Sequence, residues 1–298
     1  MHLNTPVHST FVYIVGLGWL GTPLATKLLN YDYQVSGTVR SISKQSQLKS
    51  RNLNADILNL TPTESVDYTK LTNFEEGIQH SKQNIVVINI PPGRQSFNKD
   101  AHVQNMKALI DYFINKGVDK LIFISTTSVY GNAKSTVNLQ TAVQPQTDSA
   151  QAHVEIENYI LKNYCTRGLI VRPAGLVGPN IDGTFRHPVY TLVKKEKIKN
   201  GLEPVNLVHQ EDLINAIIRS IAIDITGKGI NLACLDNPTK QDYYTWCATK
   251  LALPTPYFEN DQLKVNTGKK IDASESLKML GNLKLGYPSV FDLLNKSE

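Results

Sequence analysis

A glycine-rich turn near the start of the sequence constrains the fold of this chain more than any other feature. The turn Gly16-Leu17-Gly18-Trp19-Leu20-Gly21 ends the apolar run Phe11–Gly16 and opens a stretch with helical spacing from Leu20 to Leu29. A GxGxxG pattern between a strand and a helix is typical of dinucleotide-binding units, because its glycines allow a tight turn, close approach to a pyrophosphate and close helix packing. We therefore predict that a dinucleotide binds at the positive end of this helix. The predicted contacts come from Gly16, Gly18, Trp19, Leu20 and Gly21.

Strand and helix patterns alternate over the first half of the chain. Predicted strands are Phe11–Gly16, Tyr33–Arg40, Leu53–Leu58, Asn84–Ile90, Asp119–Thr126 and Gly168–Gly175. Predicted helices are Leu20–Leu29, Asp100–Asn115 and Thr147–Tyr164. This order predicts an α/β fold, a Rossmann doubly wound parallel sheet.

After Gly175, glycine and proline interrupt the pattern. We predict that residues 1–175 form an NAD(P)-binding domain. Residues 176–298 are predicted to complete the sheet, through Val205–His209 and Gly229–Ala233, and to form a small C-terminal substrate-binding lobe.

Composition narrows the range of partners. The chain carries 31 basic and 26 acidic residues, and no aromatic residues are interleaved with its densest basic stretch, Lys194, Lys195, Lys197 and Lys199, so we expect no nucleic-acid partner. The three cysteines lie far apart, which predicts free thiols, no structural metal site and a cytoplasmic protein. No apolar run suits a membrane span, and the opening MHLNTPVHST lacks the apolar segment of a signal peptide. We expect a small-molecule substrate and a monomer or homodimer.

The end of the second predicted strand bears on the choice of cofactor. Domains that prefer NAD carry Asp or Glu there, about 20 residues after the first glycine, to bind the ribose 2′-hydroxyl. This chain has Arg40 and Ser41 instead, with Lys44 nearby. A guanidinium group with a neighbouring hydroxyl suits a 2′-phosphate, so we predict NADP(H), with NAD as a possible second cofactor. The alternative is a solvated arginine at a strand end.

Several ordered motifs carry a family resemblance. They are VGLGWLGTPLA, FISTTSVYG, VRPAGLVGP and NLVHQEDL. With these motifs the chain resembles the extended short-chain dehydrogenases/reductases, the superfamily of NAD-dependent epimerases and dehydratases, in an atypical branch. The resemblance implies adenine contacts from Asp56 and Ile57, ribose contacts from Asn89, Ile90 and Pro91, and a position near the nicotinamide for Pro173.

The catalytic motif of that family is missing here. The family places a Tyr and a Lys four residues apart, with a Glu four residues further on. Aligning this Glu with Glu157 puts Ser149 and His153 at the Tyr and Lys positions. Aligning it with Glu155 puts Thr147 and Gln151 there, so the pair is absent in either alignment.

The proton donor must therefore come from another residue if the chain is an enzyme. Thr126 takes the place of the family's catalytic Ser or Thr, and Tyr130 and His153 are the other candidates. His153 could instead pair with Glu157 or contact ribose, and Tyr130 could simply pack beneath the nicotinamide or line the pocket.

Two further residues are candidate substrate contacts. Arg186 could bind an anionic substrate or be a surface residue, and His209 could contact substrate or cap a helix.

Two classes of function remain open. The first is an NADP(H)-dependent oxidoreductase that transfers hydride to or from a small carbonyl or imine substrate. Dehydration is disfavoured, because Thr127 and Ser128 stand where the resemblance places Asp and Glu in dehydratases. The second is a non-catalytic module that senses NADP(H), which the loss of Tyr and Lys favours. A structural role is the remaining alternative.

Overall fold

A computed structural model of the chain describes residues 9–60, 67–92, 97–259 and 268–295. The first eight residues lie outside this description. The expectation that MHLNTPVHST is not a signal peptide therefore falls mostly on residues that the structure does not describe. Strands are β1 (Thr10–Val15), β2 (Gln34–Val39), β3 (Asn54–Ile57), β4 (Gln83–Ile88), β5 (Lys120–Ile124), β6 (Thr136–Val137), β7 (Gly168–Pro173), β8 (Gly175–Pro179), β9 (Phe185–Arg186), β10 (Leu207–His209), β11 (Lys228–Leu232) and β12 (Lys270–Ile271). Helices are α1 (Gly21–Leu29), α2 (Ile42–Lys49), α3 (Thr72–Gln79), α4 (Lys99–Asn115), α5 (Asp148–Asn163), α6 (Val189–Leu192), α7 (Gln210–Ala222), α8 (Lys240–Lys250) and α9 (Ser274–Met279).

The largest sheet in the described residues has seven strands in the order β11-β7-β5-β4-β1-β2-β3. Neighbouring strands pair in parallel throughout the set β1, β2, β3, β4, β5 and β7. β1 and β5 are buried along their whole length, as parallel strands covered on both faces must be. From β1 the chain runs to β2 and β3 on one side and to β4 and β5 on the other. The predicted Rossmann α/β fold is confirmed.

Side-chain caps explain where several helices begin. The Asn98 side chain accepts a hydrogen bond from the Ala101 amide at the start of α4, and Thr147 does the same for Ala150 at the start of α5. These caps satisfy amides that have no partner inside the helix. The predicted helices Asp100–Asn115 and Thr147–Tyr164 are thus found with their ends shifted by about one residue.

The chain divides into two compact units whose segments interleave. Unit 1 comprises Met1–Ser125, Thr147–Val171 and Ile217–Gly229. Unit 2 comprises Thr126–Gln146, Arg172–Ala216 and Ile230–Glu298. The predicted boundary at residue 175 falls close to one crossing, and the chain passes between the units at several other points.

Each unit has its own buried core. In unit 1, aromatic and aliphatic side chains from the sheet pack with those of α3, α4 and α5, among them Tyr13, Phe74, Phe113, Phe123 and Ile156. In unit 2, the core includes Val177, Tyr243, Cys247, Val290 and Leu293.

Unit 2 contains a three-stranded sheet in the order β10-β8-β9. The strand predicted at Val205–His209 is found as Leu207–His209, but it pairs with β8 in this second sheet. The strand predicted at Gly229–Ala233 does join the large sheet, as β11.

Candidate functional site

The glycine turn after β1 is fixed by contacts that allow no side chain at two of its positions. Gly16 has a φ of +104°, and a Cβ atom there would lie 2.6 Å from the Asn89 carbonyl oxygen. A Cβ atom at Gly21 would collide with the Gly16 carbonyl oxygen. Thr38 also holds the turn, because its Oγ1 accepts a hydrogen bond of 3.0 Å from the Gly16 amide. Glycine at positions 16 and 21 is thus required by packing within unit 1.

Gly18 differs from its two neighbours in the motif. It is exposed, and a Cβ atom built on it would meet no atom within 4 Å. The adjoining helix α1 has no side-chain cap and no acidic residue in its first turn. Open space in front of a helix N-terminus that its own side chains leave uncapped fits a pyrophosphate, which such amides and the helix dipole attract. The residues present therefore fit a dinucleotide.

The turn from β2 to α2 presents a polar surface to solvent. Arg40 and Ser41 are both exposed, and Ser41 caps α2 by accepting a hydrogen bond from the Lys44 amide. The first turn of α2 has no acidic residue. Ile42, the first residue of α2, is exposed as well. This surface can accept an anion, and its binding of a 2′-phosphate stays a prediction.

Asp56 has a structural role that the sequence did not indicate. Its carboxylate accepts a hydrogen bond of 2.7 Å from the Tyr13 hydroxyl and bonds from the Asn73 and Phe74 amides at the start of α3. Asn73 Nδ2 donates to it as well, at 2.6 Å. Both carboxylate oxygens are thus engaged by the protein, and the expected position of Asp56 at the adenine stays a prediction. Ile57 is the last, half-buried residue of β3, and its adenine contact stays a prediction.

The residues after β4 lie against the glycine turn. The Asn89 side chain donates a hydrogen bond of 3.4 Å to the Gly16 carbonyl oxygen, and the Asn89 backbone amide donates one to the Val15 carbonyl oxygen. Ile90 is half-buried and Pro91 is exposed. Asn89 thus lies beside the turn predicted to hold the cofactor, whereas the ribose contacts of Asn89, Ile90 and Pro91 remain predictions.

Helix α5 carries the positions where the family's Tyr and Lys are missing. Ser149 is half-buried and His153 is buried beside the Phe123 ring, 5.6 Å away between centroids. Burial, with a smaller effect from nearby His102, lowers the pKa of His153 to about 4. An imidazole that stays neutral near pH 7 has no imidazolium proton to donate, so we withdraw His153 as a titrating acid.

Glu157, one turn further along α5, is buried within unit 1. Ser125 Oγ donates a short hydrogen bond to Glu157 Oε1. Glu157 thus has a serine partner that directly precedes Thr126, and its pairing with His153 stays a prediction.

Thr126 is the only half-exposed residue among the three catalytic candidates. It caps the short 3-10 helix Thr127–Tyr130, where its Oγ1 accepts a hydrogen bond of 3.1 Å from the Ser128 amide. The same Oγ1 lies 3.1 Å from the exposed Ser128 hydroxyl. The Lys269 ammonium group donates to the Thr127 and Gly131 carbonyl oxygens at 2.9 and 3.0 Å. Lys269 thus fixes the loop that carries Thr126, which no sequence motif indicated.

Tyr130 is placed differently from a proton donor. Its ring is 1% exposed, its hydroxyl accepts a hydrogen bond of 2.9 Å from Arg172 Nη1, and it donates one of 2.9 Å to Asn231 Oδ1. These residues all belong to unit 2. A hydroxyl engaged in a buried network is not available to a substrate, so we correct its assignment from proton donor to packing residue.

Replacing Tyr130 with Phe is therefore expected to lower stability. The change leaves buried polar atoms of Arg172 and Asn231 without their hydrogen bonds to the Tyr130 hydroxyl. This loss lowers the free energy of unfolding by about 1–3 kcal/mol. Urea denaturation measures this, with Tyr257→Phe at an exposed site as the control. Unchanged stability together with lost turnover would restore the proton-donor assignment.

The two candidate substrate residues have different surroundings. His209 is buried, its Nδ1 accepts a hydrogen bond from the Glu211 amide at the start of α7, and its ring stacks on Tyr287 with centroids 3.8 Å apart. The helix-capping alternative thus accounts for His209, and the substrate assignment is corrected. Arg186 is exposed on β9, and its contact with an anionic substrate stays a prediction. Pro173 is the buried last residue of β7.

The chain is similar to known proteins over most of its length. A sequence profile described as the NAD dependent epimerase/dehydratase family matches residues 12–233. Protein YeeZ of Escherichia coli strain K12 is 32% identical over 270 residues, which cover 91% of this chain and 94% of that protein.

Solved structures show the same fold. UDP-glucuronic acid 4-epimerase from Bacillus cereus, in complex with NAD, has a TM-score of 0.70 at 18% identity and covers 94% of both chains. A functionally unknown conserved protein from Silicibacter pomeroyi has a TM-score of 0.69 at 19% identity, covering 94% of this chain and 95% of its own.

No helix among the described residues is long and apolar enough to cross a bilayer. The profile match spans most of the chain, and the glycine turn lies inside it. By this match and its similarity to YeeZ, the chain belongs to the NAD-dependent epimerase/dehydratase family, whose proteins are oxidoreductase-like and depend on NAD(P).

Proposed function

We propose that this chain is an NADP(H)-dependent oxidoreductase that transfers hydride to or from a small carbonyl or imine substrate without the usual Tyr–Lys pair. The observation that carries the proposal is the open space before Gly18 at an uncapped helix N-terminus. The family of the chain and the NAD held by the Bacillus cereus epimerase support it. A nicotinamide dinucleotide supplies the hydride when it is bound, and the protein positions it.

The β2–α2 turn supports the proposed preference for NADP(H). Arg40 and Ser41 are exposed there, and the first turn of α2 brings no carboxylate that would repel a phosphate. A guanidinium group binds phosphate oxygens through charge-assisted hydrogen bonds in a planar fork.

We expect NADPH to bind more tightly than NADH, and Arg40→Ala to remove most of that difference. One charge-assisted phosphate contact is worth about 1–3 kcal/mol, or roughly 5- to 150-fold in affinity. Isothermal titration of both cofactors measures it. Arg51→Ala, at an exposed arginine just beyond α2, is the matched control and should leave the difference intact. Equal affinities for NADPH and NADH in the unmodified protein would contradict the preference.

The proposed substrate class is chosen because it suits the side chains that could donate a proton. Thr126 offers a hydrogen bond to a substrate oxygen or nitrogen, but a threonine hydroxyl is too weak an acid to supply a full proton near neutral pH. A protonated imine brings its own positive charge and needs only a placed hydride, whereas a carbonyl reduced by hydride becomes an alkoxide that must take a proton from solvent water. The proposal therefore favours substrates that are already activated.

A non-catalytic NADP(H) sensor is the second candidate function. It is favoured by the engaged Tyr130 hydroxyl and the neutral, buried His153, which leave few proton donors. Incubating the protein with NADPH and a panel of small carbonyls and cyclic imines separates the two functions. Loss of nicotinamide absorbance would support the enzyme. Protection from proteolysis by NADPH with no turnover on any compound would support the sensor.

A further inference from the structure

Lys269 brings an ammonium group from the last part of the chain to the short 3-10 helix Thr127–Tyr130. Its Nζ donates hydrogen bonds of 2.9 and 3.0 Å to the Thr127 and Gly131 carbonyl oxygens, at the start of that helix and just past its end. The Lys269 backbone is fixed as well, because its carbonyl oxygen accepts a hydrogen bond of 2.9 Å from Asn206 Nδ2. All of these residues belong to unit 2. The contacts therefore hold the ammonium group at one place on this helix.

The charge of this ammonium group acts on peptide carbonyls. Lys269 is half-buried, and burial lowers the pKa of its side chain. The two carbonyl oxygens that accept its hydrogen bonds favour the protonated form. Among the described residues, no carboxylate forms an ion pair with it. Because a hydrogen bond from a charged donor is roughly twice as strong as a neutral one, the Thr127 carbonyl is strongly polarised.

The polarised peptide group leads from Lys269 to Thr126. The carbonyl oxygen of this peptide belongs to Thr127, and its N–H belongs to Ser128. That N–H donates a hydrogen bond of 3.1 Å to Thr126 Oγ1. Hydrogen bonds in a chain polarise one another, so electron density drawn toward the Thr127 oxygen makes the Ser128 N–H a stronger donor. The Thr126 oxygen that accepts this bond loses electron density in turn, and its own hydroxyl becomes a stronger donor.

The Thr126 hydroxyl can direct this hydrogen toward a ligand. Thr126 is half-exposed, and its Oγ1 lies 3.1 Å from the exposed Ser128 hydroxyl. A substrate oxygen can replace Ser128 as the acceptor, because both residues are open to solvent. The alkoxide left by hydride addition to a carbonyl gains most from such a donor, since negative charge develops on that oxygen.

We propose that Lys269 is a positioning residue that acts through the Thr127–Ser128 peptide to strengthen the hydrogen bond from Thr126 to a substrate oxygen. The inference rests on the proposed oxidoreductase function and states how Thr126 takes part in it. In carbonyl reduction, the substrate carbon takes hydride from NADPH, which leaves NADP⁺, and Thr126 donates a hydrogen bond to the alkoxide oxygen. A water molecule then gives that oxygen its proton and leaves as hydroxide, while Lys269 keeps its own proton.

Turnover separates this role from a structural one. A protonated imine becomes a neutral amine on reduction and needs no such donor, whereas a carbonyl becomes an alkoxide. Removing an oxyanion donor costs about 10²–10³-fold in kcat, and Lys269→Met only weakens one, so we expect a loss of about 10-fold for carbonyls. The KM for NADPH and the kcat for protonated imines should not change. Lys269→Arg keeps the charge and should restore most of the rate, and Lys270→Met, at the adjacent half-buried lysine, is the control.

A double substitution tests whether Lys269 acts through Thr126. Thr126→Val removes the hydroxyl, so adding Lys269→Met to it should not lower kcat for carbonyls any further. Losses from the two substitutions that multiply would contradict the proposal. Equal losses of kcat for carbonyls and for protonated imines after Lys269→Met would also contradict it, because they would indicate a purely structural role.

A spectrum of the protein without substrate tests the peptide directly, and it covers the case in which Lys269→Met does not fold. In a ¹³C-detected correlation of carbonyl carbons with amide nitrogens, one signal reports the Thr127–Ser128 peptide. That signal should shift as the Lys269 ammonium loses its proton between pH 7 and 11. Arginine keeps its proton in this range, so the signal of Lys269→Arg should stay constant.

The arginine variant also controls for other groups that titrate nearby. On the elements around Lys269 these are Tyr130, Lys134, Glu203, His209, Lys270 and Asp272. All of them remain in Lys269→Arg. A shift of the Thr127–Ser128 signal that persists in this variant would therefore belong to one of them and would overturn the proposal.

The outcomes separate this inference from the proposed function. If no carbonyl or imine is reduced, the proposed function fails, whereas a signal that titrates in the unmodified protein and not in Lys269→Arg still supports the polarised peptide. If carbonyls are reduced and the signal does not respond to Lys269, the role of Lys269 is wrong and the proposed function stands.

Discussion

Replacing Gly18 with valine is expected to abolish dinucleotide binding while the chain keeps its fold. The position has no positive φ, and a Cβ atom there meets nothing in the protein, so the larger side chain causes no strain. It does fill the space in front of the α1 amides, where we propose that the pyrophosphate lies. Losing two charge-assisted hydrogen bonds of about 1.5–3 kcal/mol each weakens binding at least about 100-fold. Titration with NADPH measures the loss, and circular dichroism with thermal unfolding measures the fold.

A second glycine in the same motif provides the contrast. Gly21→Val should destabilise the protein itself, because its Cβ atom would collide with the Gly16 carbonyl oxygen. The two substitutions therefore separate binding from folding within six residues. A Gly18→Val protein that is natively folded and binds NADPH with unchanged affinity would show that the pyrophosphate does not lie at this turn.

The local features of the fold could be read from the sequence. β1 is six consecutive buried residues, and a glycine turn of this kind binds a dinucleotide only where it follows a strand and opens a helix. The long helices α4 and α5 carry apolar residues at helical spacing and polar caps at their starts. These signals are short in range, which is why one sequence suffices to find them.

The short helices of unit 1 were not predicted, for a physical reason. α2 buries only Leu48, and α3 buries Phe74 with Ile78 packed against the core one turn later, so each helix has too short an apolar pattern to be identified from the sequence. α3 is held instead by a distant residue, because Asp56 on β3 accepts hydrogen bonds from the amides at its start. A carboxylate at the end of a strand looks the same in sequence whether it binds a ligand or caps a helix.

The catalytic assignments illustrate the same limit. Tyr130 follows a serine-rich turn in a pattern that suits a proton donor, yet its hydroxyl bonds Arg172 and Asn231, 42 and 101 residues away in the sequence. His209 caps the helix that follows it, which the sequence admitted as an alternative. Motif spacing places a residue on a strand or loop, but partners that are distant in sequence decide whether its polar atom is free.

Three buried histidines make the stability of the chain depend on pH. His153, His187 and His209 are each less than 7% exposed, and burial lowers the pKa of each from 6.5 to about 4. In two of them the geometry gives the reason directly. His187 Nδ1 accepts the Val189 amide and His209 Nδ1 accepts the Glu211 amide, both at 3.2 Å. A proton on Nδ1 would face an amide hydrogen, so these rings must stay neutral to keep the folded structure.

We therefore expect the protein to lose stability as the pH falls from 6.5 to about 4. The folded pKa values are below the unfolded value, so the unfolded chain binds more protons in this range and the free energy of unfolding falls with pH. A pKa lowered from 6.5 to about 4 corresponds to about 3 kcal/mol for each histidine at most. Urea denaturation at pH 7.5, 5.5 and 4.5 measures this, and most of the loss of stability should fall between pH 6.5 and 4.5. His187→Asn and His209→Asn keep an acceptor near Nδ1 and should each flatten the dependence of stability on pH, whereas His80→Asn should not.

The carboxylates with lowered pKa values, Asp67, Glu75 and Asp182, are exposed or half-buried and titrate at lower pH. A loss of stability confined to pH below 4 would assign acid unfolding to those carboxylates and contradict the role of the histidines.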